Sequence, residues 1–279
     1  MITLKQVGFS YHPETPLFSD LNISFTAGHI YGLLGKNGAG KTTLLKLLSG
    51  LLYAQQGEIA ALALNPAKRA VEFLREIYFI PEEIDLPEMT VHKFETLYAP
   101  FYPQFSTDCF KTHLDVFEIN KAQSLSSLSY GQKKKVVLAF GLAANTKILI
   151  LDEPTNGLDI PSKSGLRKLL AAYPLEERCI IISTHQVREL ENLIDAVAIL
   201  EAGKVILQAT TAAITETFMF EKSFEKPDKT RVIYSEAIPA GYLSILKNDF
   251  HEESNIQLEL LFNAVLANPA IFQPKRGAL

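Results

Sequence analysis

Residues 30–52 read IYGLLGKNGAGKTTLLKLLSGLL, and this stretch decides the fold. Residues 30–34 form a short apolar run bounded by glycines, the pattern of a buried strand. Leucines at 44, 45, 47, 48, 51 and 52 repeat with a helical period. Between them, Gly35-Lys36-Asn37-Gly38-Ala39-Gly40-Lys41-Thr42 has the spacing of a phosphate-binding loop, glycine, four residues, then Gly-Lys-Thr. Glycines let the backbone curl so that successive N–H groups point at a polyphosphate, and the helix N-terminus adds its dipole. Lys41 is expected to reach the β- and γ-phosphates, and the Thr42 hydroxyl to ligate Mg²⁺. All of Gly35 to Thr42, with Thr43 beyond them, are therefore expected nucleotide-binding residues.

Working outward, KILILDEP (147–154) and CIIIST (179–184) are almost uninterrupted apolar strands, as in a parallel sheet covered on both faces. AVAILEAGKVIL (196–207) is a third strand-like stretch. SKSGLRKLLAAY (162–173) and QVRELENLI (186–194) read as the intervening helices. Strands alternating with helices imply an α/β doubly wound core. Two segments break the rhythm. Residues 1–29 alternate like antiparallel strands. Residues from about 84 to 141 read as helical, with VHKFETLYAPFY and CFKTHLDVFEI as candidate helices inserted into the core. Beyond about residue 208 the pattern weakens to a small α+β element, with TRVIYSEAI as a strand and IQLELLFNAVLA as a helix. PAIFQPKRGAL reads as a frayed end.

The strand at 148–151 ends in Asp152-Glu153. At the carboxyl end of a parallel strand these acids face the same crevice as the phosphate loop. Asp152 is expected to hold the Mg²⁺ shell, and Glu153 to act as general base on an attacking water.

Composition narrows the classes. The chain has 279 residues, 47% hydrophobic and 21% charged, which is ordinary globular chemistry. Its 27 Lys and Arg against 31 Asp and Glu give a net charge of −4, which disfavours a protein held mainly by nucleic-acid phosphates. Two cysteines, Cys109 and Cys179, make neither a disulfide framework nor a zinc cluster, so a reducing compartment is expected. The opening MITLKQVGFSYH lacks the pattern of a signal peptide, and no 18 apolar residues run together.

Leu128-Ser129-Tyr130-Gly131-Gln132 resembles the LSGGQ signature of the ATP-binding cassette (ABC) family, with tyrosine replacing the first glycine of the pair. Other motifs of the family appear in order. Tyr11 lies in the N-terminal strands, Asn156-Gly157-Leu158-Asp159 looks like the D-loop, and Ser183-Thr184-His185 looks like the switch-histidine segment. The resemblance implies a P-loop NTPase fold: a mostly parallel sheet, an N-terminal antiparallel β subdomain, an inserted helical subdomain and a small C-terminal α+β extension. It divides the chain into a cassette, residues 1–210, and an extension, residues 211–279. It implies ATP and Mg²⁺ as ligands, adenine stacking by Tyr11, and a γ-phosphate contact from His185. Ser129, Gly131 and Gln132 would then grip ATP bound to a second copy, with Asp159 at the same junction, in a head-to-tail homodimer. Lys133, Lys134 and Lys135 read for the most part as a solvated helix face. His12, His29, His92, His113 and His251 read as structural.

One position departs from the family. After Ile77-Tyr78-Phe79-Ile80-Pro81, Glu82 stands where the family usually carries glutamine. A carboxylate accepts from water or Mg²⁺ but cannot donate as an amide does. The Pro-Glu-Glu form and the C-terminal LELLFNAVL helix resemble ABC-2-type exporter subunits, whose partner is a separate polytopic membrane permease, with the cassette peripheral on the cytoplasmic face. Phe94, Leu97, Tyr98, Phe101 and Tyr102 are either the surface that such a partner docks on or the insert's own core. The alternative reading of the whole chain is a non-transport ABC ATPase, acting in regulation, in assembly, or on nucleic acid or ribosomes.

Overall fold

A strand that is apolar at every position has to be covered on both faces. The computed structural model, which describes residues 1–228, 230–239 and 241–272, shows how this is done. In chain order the strands and helices are β1 (Ile2–His12), β2 (Thr15–Phe25), β3 (His29–Leu34), α1 (Lys41–Leu48), β4 (Gln56–Ala61), α2 (Val71–Leu74) and β5 (Ile77–Ile80). The helical stretch follows as α3 (Val91–Tyr98), α4 (Thr107–Val116) and α5 (Tyr130–Ala143). Then come β6 (Ile148–Asp152), α6 (Ile160–Ala171), β7 (Cys179–Ser183), β8 (Ala196–Glu201) and β9 (Lys204–Thr210). The chain continues as α7 (Thr211–Thr217), β10 (Phe218–Ser223), β11 (Val232–Ile238), β12 (Gly241–Lys247) and α8 (Leu258–Ala267).

Six strands form one sheet in the order β5-β6-β7-β3-β8-β9, parallel except for the β8–β9 pair. Successive side chains point to opposite faces, so each strand divides its residues between two cores. Ile148, Ile150, Cys179 and Ile181 face α1 and the antiparallel sheet β2-β1-β4. Leu149, Leu151, Ile180 and Ile182 face the helices α3–α6. Phe220, Ile245, Leu258, Leu261 and Phe272 belong to that second core, so the C-terminal strands and α8 pack against it rather than standing apart.

The expected P-loop NTPase architecture is the observed one, with local differences. Residues 186–194 are not an α-helix but two 3₁₀ turns, Val187–Glu189 and Glu191–Leu193. Their backbone bonds run three residues back, from the Glu189 N–H to Gln186, Leu190 to Val187 and Leu193 to Leu190, the tighter 3₁₀ pattern. The stretch 196–207 is a hairpin rather than one strand, because Ala202 (φ 46°) and Gly203 (φ 73°) make the left-handed pair that a tight turn requires. The end is not frayed as far as it is described: Pro269–Ile271 form a 3₁₀ turn and Phe272 is buried, while 273–279 lie outside the described residues.

The aromatic stretch after β5 divides between its two readings. Phe94 is buried, and Tyr102 packs on Tyr78 and Phe140 inside the helical core. Leu97, Tyr98 and Phe101 are exposed on the same stretch. His29 and His113 have structural partners, Asp195 at 3.2 Å and the Ala139 carbonyl at 3.2 Å. No helix among the described residues is long and apolar enough to cross a membrane.

Candidate active site

Strand order brings the chemistry together. β6, β7 and β3 are neighbours, so their carboxyl ends deliver Asp152-Glu153, Thr184-His185 and the phosphate loop to one edge. Gly40 opens α1 with φ 102°, and a Cβ there would meet the Phe18 ring at 2.8 Å, so this step of the loop requires glycine. Lys41 is buried, and its Nζ donates to the carbonyls of Gly35 (2.7 Å) and Lys36 (3.3 Å). Burial lowers the Lys41 pKa, and the charges of Glu153, Asp152 and Glu82 partly offset that shift.

A cavity of about 400 Å³ opens over the loop. Its lining includes Tyr11, Lys36, Asn37, Gly38, Gly40, Lys41, Thr42, Thr43, Glu82 and Glu153, ten of the residues expected from the sequence. Ala39 is buried in the core beneath the loop. Gly35 lines an adjoining cavity of about 650 Å³, together with His185, Arg188 and the α8 residues Glu259, Phe262 and Asn263. Tyr11 is exposed at the cavity rim, its ring perpendicular to that of Phe9 and its hydroxyl 3.0 Å from the Thr43 Oγ1.

The acidic pair is rigidly held. The Ser183 hydroxyl donates to Asp152 Oδ1, while Asp152 Oδ2 is buried without a partner among the described residues. An orphaned carboxylate oxygen at this place fits a site for a hydrated divalent cation. Glu153 has a left-handed backbone (φ 46°), which costs a non-glycine residue about 1 kcal/mol or more. Contacts from three sides hold it there. Its N–H donates to the Ser183 carbonyl (3.1 Å), its carbonyl accepts from Lys134 Nζ (2.7 Å) and from the Asn156 N–H as well (3.2 Å), and its Oε1 lies 2.9 Å from His185 Nδ1.

The signature residues lie outside this cavity. Ser129 is exposed at the N-cap of α5, where its hydroxyl accepts from the Gln132 N–H, and the Gln132 side chain accepts from the Ser129 N–H. Such a capping box stabilises a helix start by about 1 kcal/mol. Gly131 passes so close to the D-loop that a Cβ would lie 2.6 Å from the Gly157 carbonyl oxygen. Asp159 caps α6, and hydrogen bonding from Ser162 holds its pKa at about 2. Glu82 reaches both neighbouring motifs: its Oε1 accepts from Asn156 Nδ2 (2.9 Å), and its carbonyl accepts from the Tyr130 hydroxyl.

The lysine run after the signature differs from its expected solvated face. Lys134 is fully buried, and Lys135 pairs with Asp159 at 3.2 Å. Burial lowers the Lys134 pKa against the opposing charges of Glu82, Glu153 and Asp152. The sequence did carry a signal: Lys134, Val137, Leu138 and Gly141 fall at helical spacing, so Lys134 shares the inward stripe of α5.

The ABC transporter family model matches residues 18–156. The chain is 30% identical to the methionine import ATP-binding protein of Latilactobacillus sakei subsp. sakei (strain 23K), over 92% of this chain and 81% of that protein. It is 33% identical to the Nod factor export ATP-binding protein of Burkholderia lata, over 70% and 67%. Among solved structures, the ATP-binding subunit of an ABC transporter superposes with a TM-score of 0.70 at 25% identity, over 77% of this chain and 91% of that one. With the phosphate loop, the acidic strand end and the switch segment at one sheet edge, the signature at the start of α5, and these relatives, the chain belongs to the ABC transporter family as an ATP-binding cassette.

Proposed function

We propose that this chain is the ATP-hydrolysing subunit of an ABC transporter, closing head-to-tail on a second copy around two Mg·ATP to drive a separate membrane permease. The observation that carries the reading is the cavity shared by Tyr11, Lys41, Thr42, Glu82 and Glu153, beside a buried Asp152 Oδ2 without a partner among the described residues. In this reading the exposed Tyr11 ring stacks the adenine. The phosphate-loop N–H groups and Lys41 Nζ bind the β- and γ-phosphates, Nζ exchanging the Gly35 carbonyl for phosphate oxygen. Thr42 and Asp152 would hold Mg²⁺, which when bound offsets the negative charge of the phosphates.

Glu153 accepts the proton of the attacking water on its carboxylate. His185, held against Glu153 through Nδ1, keeps its other ring nitrogen for the γ-phosphate. Ser129, Gly131 and Gln132 stand outside the chain's own cavity and are assigned to the nucleotide of the second copy. Asp159 belongs to the same junction, and Glu82 takes the nucleotide-sensing position usually held by glutamine. Exposed Leu97, Tyr98 and Phe101 form the docking surface for the permease, at the cytoplasmic face of the membrane. Residues 1–210 act as the cassette and 211–279 as an appended extension. The Pro81-Glu82-Glu83 form and that extension favour export, as in ABC-2-type subunits.

The test is Glu153→Gln. It is expected to bind ATP, to hydrolyse it at least about a hundredfold more slowly, and to accumulate as an ATP-bound dimer in light scattering. Turnover at the rate of the unaltered protein would place the general base elsewhere.

A further inference from the structure

Lys134 lies in the site region, and the proposed chemistry does not use it. It is fully buried, five residues beyond the Ser129 cap on the same helix. Taking an ammonium out of water is costly unless its donors are satisfied. Here its Nζ does not seek a carboxylate oxygen but two main-chain carbonyls, Glu153 at 2.7 Å and Glu82 at 3.5 Å.

Glu153 is the residue whose backbone is held in the left-handed region (φ 46°). In that conformation its N–H turns back to Ser183, its carbonyl turns toward α5, and its carboxylate meets His185 at the edge of the phosphate cavity. A side chain rarely keeps such a backbone unless the surroundings hold both peptide groups. The strand β7 holds the preceding peptide, and the following one is held by Lys134 at 2.7 Å together with the Asn156 N–H at 3.2 Å, of which Lys134 makes the shorter, charged contact. A general base must be positioned to a fraction of an ångström, so the group that fixes its backbone acts on the rate.

We propose that Lys134 is a positioning residue for ATP hydrolysis: by holding the Glu153 carbonyl it keeps that backbone left-handed and aims the carboxylate at the phosphate cavity. The role rests on the reading of Glu153 as general base. It also ties α5, whose first residues are assigned to the partner copy's nucleotide, to the base of the chain's own site. The Glu82 carbonyl, within reach of the same ammonium, brings the nucleotide-sensing loop into that link.

Lys134→Met keeps the length and removes the donor, while Lys134→Arg keeps a cation able to reach the carbonyl. The full-length variants are compared by calorimetric ATP affinity, ATP-dependent dimerisation in light scattering, and steady-state turnover. Lys134→Met is expected to bind ATP within about twofold of the unaltered protein and to dimerise, but to lose about tenfold or more in kcat at unchanged KM. Lys134→Arg is expected to recover most of that loss. Turnover of Lys134→Met within about twofold of the unaltered protein would overturn the role, as would equal impairment of both variants or a parallel fall in ATP affinity. If Lys134→Met fails to fold, Lys134→Leu, which also removes the donor, is read against Lys134→Arg by the same criteria. Glu153→Gln measured alongside separates the two claims. Its full turnover removes the base assignment, whereas slow Glu153→Gln with fast Lys134→Met removes only the positioning role.

Discussion

Nζ of Lys41 is bonded to the carbonyls of its own loop, at 2.7 Å and 3.3 Å, and three acids surround it from β6 and the Glu82 loop. The loop is thus closed on itself by the same charge that a polyphosphate would take over. Lys41→Ala removes that charge and leaves the nearby Glu153, Asp152 and Glu82 without the ammonium that offsets them. Calorimetry is expected to show ATP affinity reduced by about a hundredfold or more, and an unchanged affinity would mean that the loop does not bind phosphate. At this scale the sequence was highly legible, because a phosphate loop needs fixed residue types at fixed spacing. Lys134 was not legible in the same way. Three successive lysines read as a solvated face, and only the apolar neighbours one turn on show that the middle one points inward. Glu82 was seen as a departure, but its partners Asn156 and Tyr130 come from segments 74 and 48 residues away, beyond any local pattern.

α4 and α5 pack through Phe110, Leu114 and Phe140, and His113 lies at their seam with Nδ1 on the Ala139 carbonyl. Burial lowers its pKa below 6.5, outweighing that hydrogen bond. The unfolded chain therefore takes up the proton first. Stability from the neutral ring is present above about pH 6.5 and is lost as the pH falls toward the lowered folded value. Thermal melts of His113→Gln, whose amide can still donate to Ala139, are expected to lose less stability than the unaltered protein between pH 7 and pH 5. Parallel slopes would remove His113 from the account. α4 was legible as a helical stretch, CFKTHLDVFEI, while the Ser106 cap that starts it emerged only in the structure. The segment 186–194 was not legible, because it is held by contacts with α6 and α8 that no window of sequence contains. The switch segment also meets α8: Arg188 pairs with Glu259, and Glu191 accepts from the Leu258 N–H.

Across the whole molecule, one sheet carries two cores, and the functional residues collect at the carboxyl ends of its three central strands. Alternation of strands and helices gave away the class, and the apolar runs gave away the covered faces. Strand order was illegible, because pairing β6 with β7 and β7 with β3 depends on packing between segments far apart in the chain. The C-terminal strands and α8 were foreseen as an element but not as part of the core under the switch segment. The site is divided at this scale too. Ser129 caps its own helix at the surface, outside the cavity that holds Lys41 and Glu153. Ser129→Arg therefore leaves every group of the chain's own cavity in place while blocking the surface assigned to a second copy. Its steady-state ATPase rate is expected to fall at least about a hundredfold, with ATP affinity of the isolated chain unchanged; hydrolysis at the unaltered rate would contradict a site shared between two copies.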